Sequence, residues 1–332
     1  MKQTLESLVQ GNTLTRTEAK EILLQITSGK FSNEEIAAFL MAQRMRPLYA
    51  QEVLGFRDAM LEQALHIDLS DWQTIDIVGT GGDGKNSFNI STCTAVVVAG
   101  AGYKVAKHGS YGVSSVSGSA NVLMKLGVSF TTNEDTLHRC LDQANICFLH
   151  APLFHPTMKY VVPVRKALKI KTIFNILGPL LNPTNSKYGL YGVSEPKFAD
   201  VYHEVLQQTE INYHVVHNMD GYDEISLTDK CLVINREEKK YLTAPEFDLH
   251  TIEPKTIFGG SSVDEAAEIF LSVLENRSTG EQQNVVLANA ALAINTIEPA
   301  QSLTHCVEIA KESLHSGKAR QCLQQLVDLT QK

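Results

Sequence analysis

The sequence predicts an α/β protein, a small N-terminal helical bundle followed by a large domain on a central, mostly parallel sheet. Three observations carry this. Residues 5–64 look wholly helical, with helix-start signals and apolar stripes at helical spacing. Residues 74–92 read as a strand, a glycine loop and a helix entrance. A second strand–loop–helix unit follows over residues 103–126. In an open α/β sheet such units gather their loops at the carboxyl ends of the strands, where ligands bind.

Taken in order, Thr15 with Glu18 and Ser32 with Glu35 fit the capping box, and Gly29 sits where a helix ends. Ile36, Phe39, Leu40 and Met41 give one apolar face. A further helix over residues 50–64 carries Val53, Leu54, Met60 and Leu61. Short helices of this kind form a bundle, and their stripes serve as core or subunit interface. Polar residues 68–73 read as a linker.

The strand signal Ile75-Asp76-Ile77-Val78 breaks into Gly79-Thr80-Gly81-Gly82-Asp83-Gly84. Glycines free the backbone to turn its N–H groups toward one point. Ser91 and Thr92 are cap-type residues before an apolar run, residues 95–101, that reads as a buried helix. Free amides and a positive helix end both favour an anion, so the unit reads as a phosphate cradle. It matches neither the P-loop nor, strictly, G-x-G-x-x-G, and a plain glycine turn is the alternative. The next strand, residues 103–106, ends in Lys107-His108-Gly109-Ser110-Tyr111-Gly112, and Ser117-Gly118-Ser119-Ala120 opens a helix through residue 126. Two neighbouring cradles point to a substrate with phosphate at both ends. Lys107 reads as a mobile positive charge for one of them or as a solvated surface lysine, and His108 as a site residue or a structural one.

The chain has 332 residues and a formal net charge of −8, which argues against general nucleic-acid binding. Its six cysteines form no C-x-x-C pair and read as reduced thiols of a cytoplasmic protein. The N-terminus has no apolar signal core, and no apolar run is long enough to span a bilayer.

The run G-T-G-G-D-G-x-x-S-F-N-I-S-T, then K-H-G and S-S-x-S-G-S-A, resembles anthranilate phosphoribosyltransferase. So do F-N-I-L-G-P-L-L-N-P (residues 174–183), H-P-T-M-K (155–159), D-G-x-D-E-I-S (220–226), Gly259-Gly260 and N-A-A-L-A-I (289–294). The likeness spans almost the whole chain. It implies the fold of class II nucleoside phosphorylases and related phosphoribosyltransferases. On that fold residues 1–70 form the small helical domain, joined by helices from about 158–185, and residues 71–332 form the large domain. The implied reaction joins anthranilate to phosphoribosyl pyrophosphate, giving phosphoribosyl-anthranilate and pyrophosphate in tryptophan synthesis. A cytoplasmic homodimer through the helical domain is implied as well, with no nucleic-acid or membrane partner.

The resemblance also implies site residues. Gly79, Gly82, Asp83, Ser87, Asn89, Ile90, Ser91 and Thr92 match the first phosphate cradle. Lys107, Ser115 and Ser119 match the second, and Gly79, His108, Ser110 and Arg165 the anthranilate side. Ser91 and the pair Asp223–Glu224 match the ligands of magnesium, two ions, a metal that takes carboxylate and phosphate oxygens. No general base is assigned, because a neutral aromatic amine carries its own lone pair. The family's K-H-G-N-R is replaced by Lys107-His108-Gly109-Ser110-Tyr111, which changes the nucleophile side more than the phosphate side. A transferase for another aromatic amine, a class II pyrimidine nucleoside phosphorylase and a non-enzymatic nucleic-acid-binding relative are the alternatives.

Overall fold

A computed structural model describes residues 1–112 and 116–331. The chain opens with four helices: α1 (Lys2–Val9), α2 (Arg16–Thr27), α3 (Asn33–Arg44) and α4 (Ala50–Glu62). Both expected capping boxes form, Thr15 with Glu18 and Ser32 with Glu35, and Gly29 has φ +77° just past α2. The third expected helix stops at Glu62, two residues early.

The rest alternates strands and helices: β1 (Thr74–Gly79), α5 (Ile90–Gly100), β2 (Lys104–Gly109), α6 (Ser119–Lys125), α7 (Glu134–Ala144) and β3 (Ile146–His150). Three short helices follow, α8 (Ala151–Phe154), α9 (Val162–Leu168) and α10 (Ile173–Leu177). Then come β4 (Tyr188–Gly192), α11 (Pro196–Leu206), β5 (Asn212–Asn218), β6 (Cys231–Ile234) and β7 (Lys239–Leu242). Four helices close the chain: α12 (Val263–Leu274), α13 (Gly280–Ile297), α14 (Leu303–His315) and α15 (Lys318–Thr330).

The sheet order is β3-β2-β1-β4-β5-β6-β7, parallel from β3 to β5 and antiparallel at β6 and β7. The chain runs outward from β1 to β3 and then returns to place β4 on the other side of β1. That reversal is the switch point at which open α/β sheets bind ligands. Alternate residues of a strand face opposite sides. Leu190 and Val216 accordingly join a core with α5, α7 and α12–α15, while Tyr191 and Val215 join a second core with α2–α4, α9–α11 and residues 180–181.

Two local expectations shift. α5 begins at Ile90 with Asn89 at its N-cap, so Ser91 and Thr92 lie inside the first turn rather than before it. β2 runs on to Gly109 because its ladder with β3 continues through His108–Leu149 and Gly109–His150. Lys107 and His108 are therefore strand residues. Among the described residues no helix is long and apolar enough to cross a membrane, and all six cysteines are buried and free.

Candidate active site

A cavity of about 720 Å³ opens at the carboxyl ends of β1, β2 and β4 and is walled on the far side by α9 and α10. Gly79, Gly82, Asp83, Ser87, Asn89, Ile90, Ser91, Thr92, Lys107, His108, Ser110, Ser119, Arg165, Asp223 and Glu224 all line it. Ser115 lies outside the described residues.

The glycine loop has its form because Gly81, Gly82 and Gly84 take φ of +64°, +73° and +77°, a region that side chains disfavour. It is tied to the acidic turn after β5. The Gly81 amide donates to Asp223 Oδ2 (2.6 Å), and Ser87 Oγ donates to Glu224 Oε1 (2.6 Å). Asn289 on α13 braces that turn, accepting from the Ile225 amide (3.1 Å) and donating to its carbonyl (2.7 Å). The expectation of a free amide cradle is thus modified at Gly81, whose N–H already serves a carboxylate.

Burial, and then the neighbouring Asp83, pushes the Asp223 carboxyl up to about 6. Glu224 is raised well above its ordinary value by burial and then by Asp223. Asp83 accepts from the Lys85 amide through Oδ1 (3.1 Å), while its buried Oδ2 has no hydrogen-bond partner. Two buried carboxylates raised by burial and by a neighbouring acid, with the idle oxygen of Asp83 beside them, fit a hard cation. Among the described residues no group of three or more His, Cys, Asp or Glu forms a metal site by itself. These residues therefore suit an ion that takes its remaining ligands from phosphate and water, which is the habit of magnesium.

Lys107 is not a solvated surface lysine. It is 2 % exposed, and its ammonium donates to the Ile77 carbonyl. Burial lowers it to about 8, opposed by the charges of Asp76, Glu224 and Asp223. His108 is held near 3, first by burial and then by His155, whose ring meets it edge-on at 5.4 Å. It is neutral at working pH. His155 is tied to the Leu181 carbonyl (2.9 Å). Arg165 lies over the Phe174 ring (5.7 Å) with one contact to Asn175 Oδ1 (3.3 Å), which leaves most of its fork toward the cavity free to grip an anion.

The second cradle closes on itself: Ser119 Oγ and the Ala120 amide both donate to the Ser110 carbonyl (3.3 and 3.1 Å). The Tyr111 ring turns to His150 (4.8 Å, 80°), and His150 stacks on Phe130 (4.5 Å). Sequence reasoning passed over Gly192, at the end of β4. A Cβ there would lie 1.5 Å from the Asp223 carbonyl oxygen. It also passed over Asp76, whose signal was a charge in the middle of a β-branched strand.

The sheet's loops at the switch point, the glycine loop latched to carboxylates and the helical bundle thus frame a single cavity. Residues 71–320 match the glycosyl transferase family a/b domain, and residues 2–64 match that family's helical bundle domain. The chain is 48% identical to the anthranilate phosphoribosyltransferase of Phocaeicola vulgatus over 99% of both chains, and 46% identical to that of Flavobacterium johnsoniae over 99% of this chain and 100% of the relative. Its fold superposes on the anthranilate phosphoribosyltransferase of Thermus thermophilus with a TM-score of 0.93, at 31% identity over 99% of both chains. The Saccharomyces cerevisiae enzyme, solved in complex with PRPP and Mg, gives 0.91 at 29% identity, covering 98% of this chain and 96% of that one. The chain belongs to the anthranilate phosphoribosyltransferase family.

Proposed function

We propose that this chain transfers the 5-phosphoribosyl group of phosphoribosyl pyrophosphate to the amine of anthranilate, releasing pyrophosphate, as a step of tryptophan biosynthesis. The observation that carries the reading is the pairing of the glycine loop with Asp223 and Glu224 across one cavity from Arg165. Gly79, Gly82, Asp83, Ser87 and Asn89 to Thr92 hold the diphosphate, and Lys107, Ser115 and Ser119 the 5-phosphate side. Ser91, Asp223 and Glu224 hold two magnesium ions, which when bound neutralise charge on the leaving diphosphate. Gly79, His108, Ser110 and Arg165 receive anthranilate, with the guanidinium gripping its carboxylate.

The bond from ribose C1 to the amine nitrogen forms as the C1–oxygen bond to pyrophosphate breaks, through an oxocarbenium-like centre. The chain supplies alignment and charge rather than a base. Neutral His108 and His155 present a ring wall to the aromatic acid, and the nitrogen gives up its proton to solvent water after it has bonded. A fluorescence assay of anthranilate consumption with phosphoribosyl pyrophosphate and magnesium tests the reading. No loss of fluorescence would refute it.

The serine at position 110 gives one prediction. Ser110→Asn is expected to lower the anthranilate KM about tenfold, the worth of one recovered hydrogen bond to a carboxylate, with little change toward phosphoribosyl pyrophosphate. Tyr111→Phe should change little, because that ring packs on His150. Weaker anthranilate use in Ser110→Asn, with Tyr111→Phe crippled, would mean that the pocket is built around Tyr111 instead.

We take residues 1–70, with residues 158–185, as the small domain and residues 71–332 as the large one, in a cytoplasmic homodimer. Net charge and the acidic site speak against nucleic acid as a partner. Packed helices α1 and α3 lead to Val9 and Met45, each 82% exposed, with Tyr49 beyond them, an apolar excess that a C2 partner covers. Wild type should scatter light as a dimer at micromolar concentration, and Val9→Glu with Met45→Glu as a monomer. A monomeric wild type would sink this.

A further inference from the structure

The seam between β1 and β2 is closed by side chains. Its ladder pairs Thr74 with Lys104 and Ile75 with Val105, then stops, whereas β1 stays paired with β4 through Gly79 and β2 with β3 through Gly109. Where further rungs would come, backbone groups take other partners. The His108 amide donates to Asp76 Oδ1 (3.1 Å), the Ala106 carbonyl accepts from Asn182 Nδ2 (2.8 Å), and the Ile77 carbonyl accepts from Lys107 Nζ. Asn182 Nδ2 also donates to Asp76 Oδ2 (2.9 Å), so acid and amide form one bridge.

The bridge is itself anchored. Asn182 Oδ1 accepts from the Thr184 amide and hydroxyl (3.1 and 2.8 Å). Thr184 Oγ1 meets Ser186 Oγ (3.3 Å), which accepts from Thr74 at the start of β1 (3.1 Å). Asp76 and Asn182 are buried and stand behind the cavity wall. Burial of a carboxylate is costly, and Asp76 has the Lys107 charge and neutral donors from Asn182, His108 and Ile77 in compensation.

We propose that Asp76 and Asn182 are positioning residues for the transfer reaction: they stand in for the missing β1–β2 rungs and hold the strand ends apart at the width that sets Lys107 and His108 in the cavity. The choice of reaction rests on the functional reading above, while the bridge does not. A complete ladder would bring the strands to about 4.8 Å and shut the crevice at their carboxyl ends. An aspartate keeps the His108 amide satisfied without that approach. The Leu181–Asn182 segment then links this seam to His155, through the Leu181 carbonyl, on the nucleophile side.

The test compares Asp76→Asn and Asn182→Ala with Thr296→Val, which removes a buried hydrogen bond to His214 (2.8 Å) away from the site. The amide variant keeps the shape of Asp76 but turns a donor toward Asn182 and removes the charge beside Lys107. Both bridge variants should lose about tenfold to a hundredfold in kcat/KM for phosphoribosyl pyrophosphate, as displaced binding groups do. Amide hydrogen exchange across residues 104–109, measured without substrate, should rise about tenfold or more as the seam opens. Thr296→Val should lower the melting temperature and leave both readouts at wild-type values. Bridge variants that lose only melting temperature, with exchange and kinetic constants unchanged, overturn the proposal. A wild type inactive on these substrates overturns the functional reading alone, and exchange still decides the bridge.

Discussion

Asp223→Asn combined with Glu224→Gln is expected to cut magnesium-dependent turnover on the order of 10³-fold while the protein stays folded. The amides keep the shapes of the acids and can still accept from Gly81 and Ser87, so the latch to the glycine loop survives. What disappears is the negative charge that a cation on the diphosphate needs. Stability should move the other way. Asp223 sits near 6 rather than its ordinary 3.8, so folding favours its protonated form. The wild type in chelator is then most stabilised by this group below about pH 4 and loses that contribution as pH rises through about 6. Asp76, also raised to about 6, remains in the double variant, which should therefore show a shallower decline rather than none. Magnesium titrations of initial rate and melts in chelator read the two effects. Wild-type turnover at low magnesium would end the assignment.

What the sequence made legible was local. Capping boxes at Thr15 and Ser32 declare themselves within four residues, and the glycine loop does so because positive φ at Gly81, Gly82 and Gly84 leaves little choice of residue. Two strand–loop–helix units were enough to expect a parallel sheet with its site at the loops. The relations across the chain were not legible from pattern. Ser87 meets Glu224 from 137 residues away, and no periodicity encodes that distance. Lys107 read equally as a charge for a phosphate or as a solvated surface lysine, because its burial depends on β2 extending past residue 106 and on the Ile77 carbonyl of β1 taking its ammonium. The resemblance supplied the site residues, and the structure brings all the described ones to one cavity. It does not supply the residues that act through others, such as Asn182, whose amide reaches Asp76 on a strand 106 positions earlier.

Gly192→Ala is expected to lower kcat/KM on the order of 10²-fold, the scale at which an ångström of misplacement is felt. Gly192 is fixed on both sides, paired with Gly79 on β1 and with Val216 on β5, and its carbonyl accepts from the Thr80 amide (2.9 Å). The added methyl would stand 1.5 Å from the Asp223 carbonyl oxygen and 2.7 Å from its carbon. Strand β4 cannot yield without breaking two ladders, so the acidic turn must move. Gly79, its register partner on β1, faces the same turn, and a Cβ there would meet Asp223 Oδ2 at 2.4 Å, so the displaced turn cannot retreat toward β1. It must swing outward, which pulls Asp223 from the Gly81 amide and Glu224 from Ser87. The expected signature is a raised magnesium requirement together with lost turnover, beside a modest fall in melting temperature. Gly280→Ala, at the open start of α13 with nothing within 4 Å, should change none of these. If Gly192→Ala keeps the wild-type magnesium dependence and rate, the position of the acidic turn does not control the reaction.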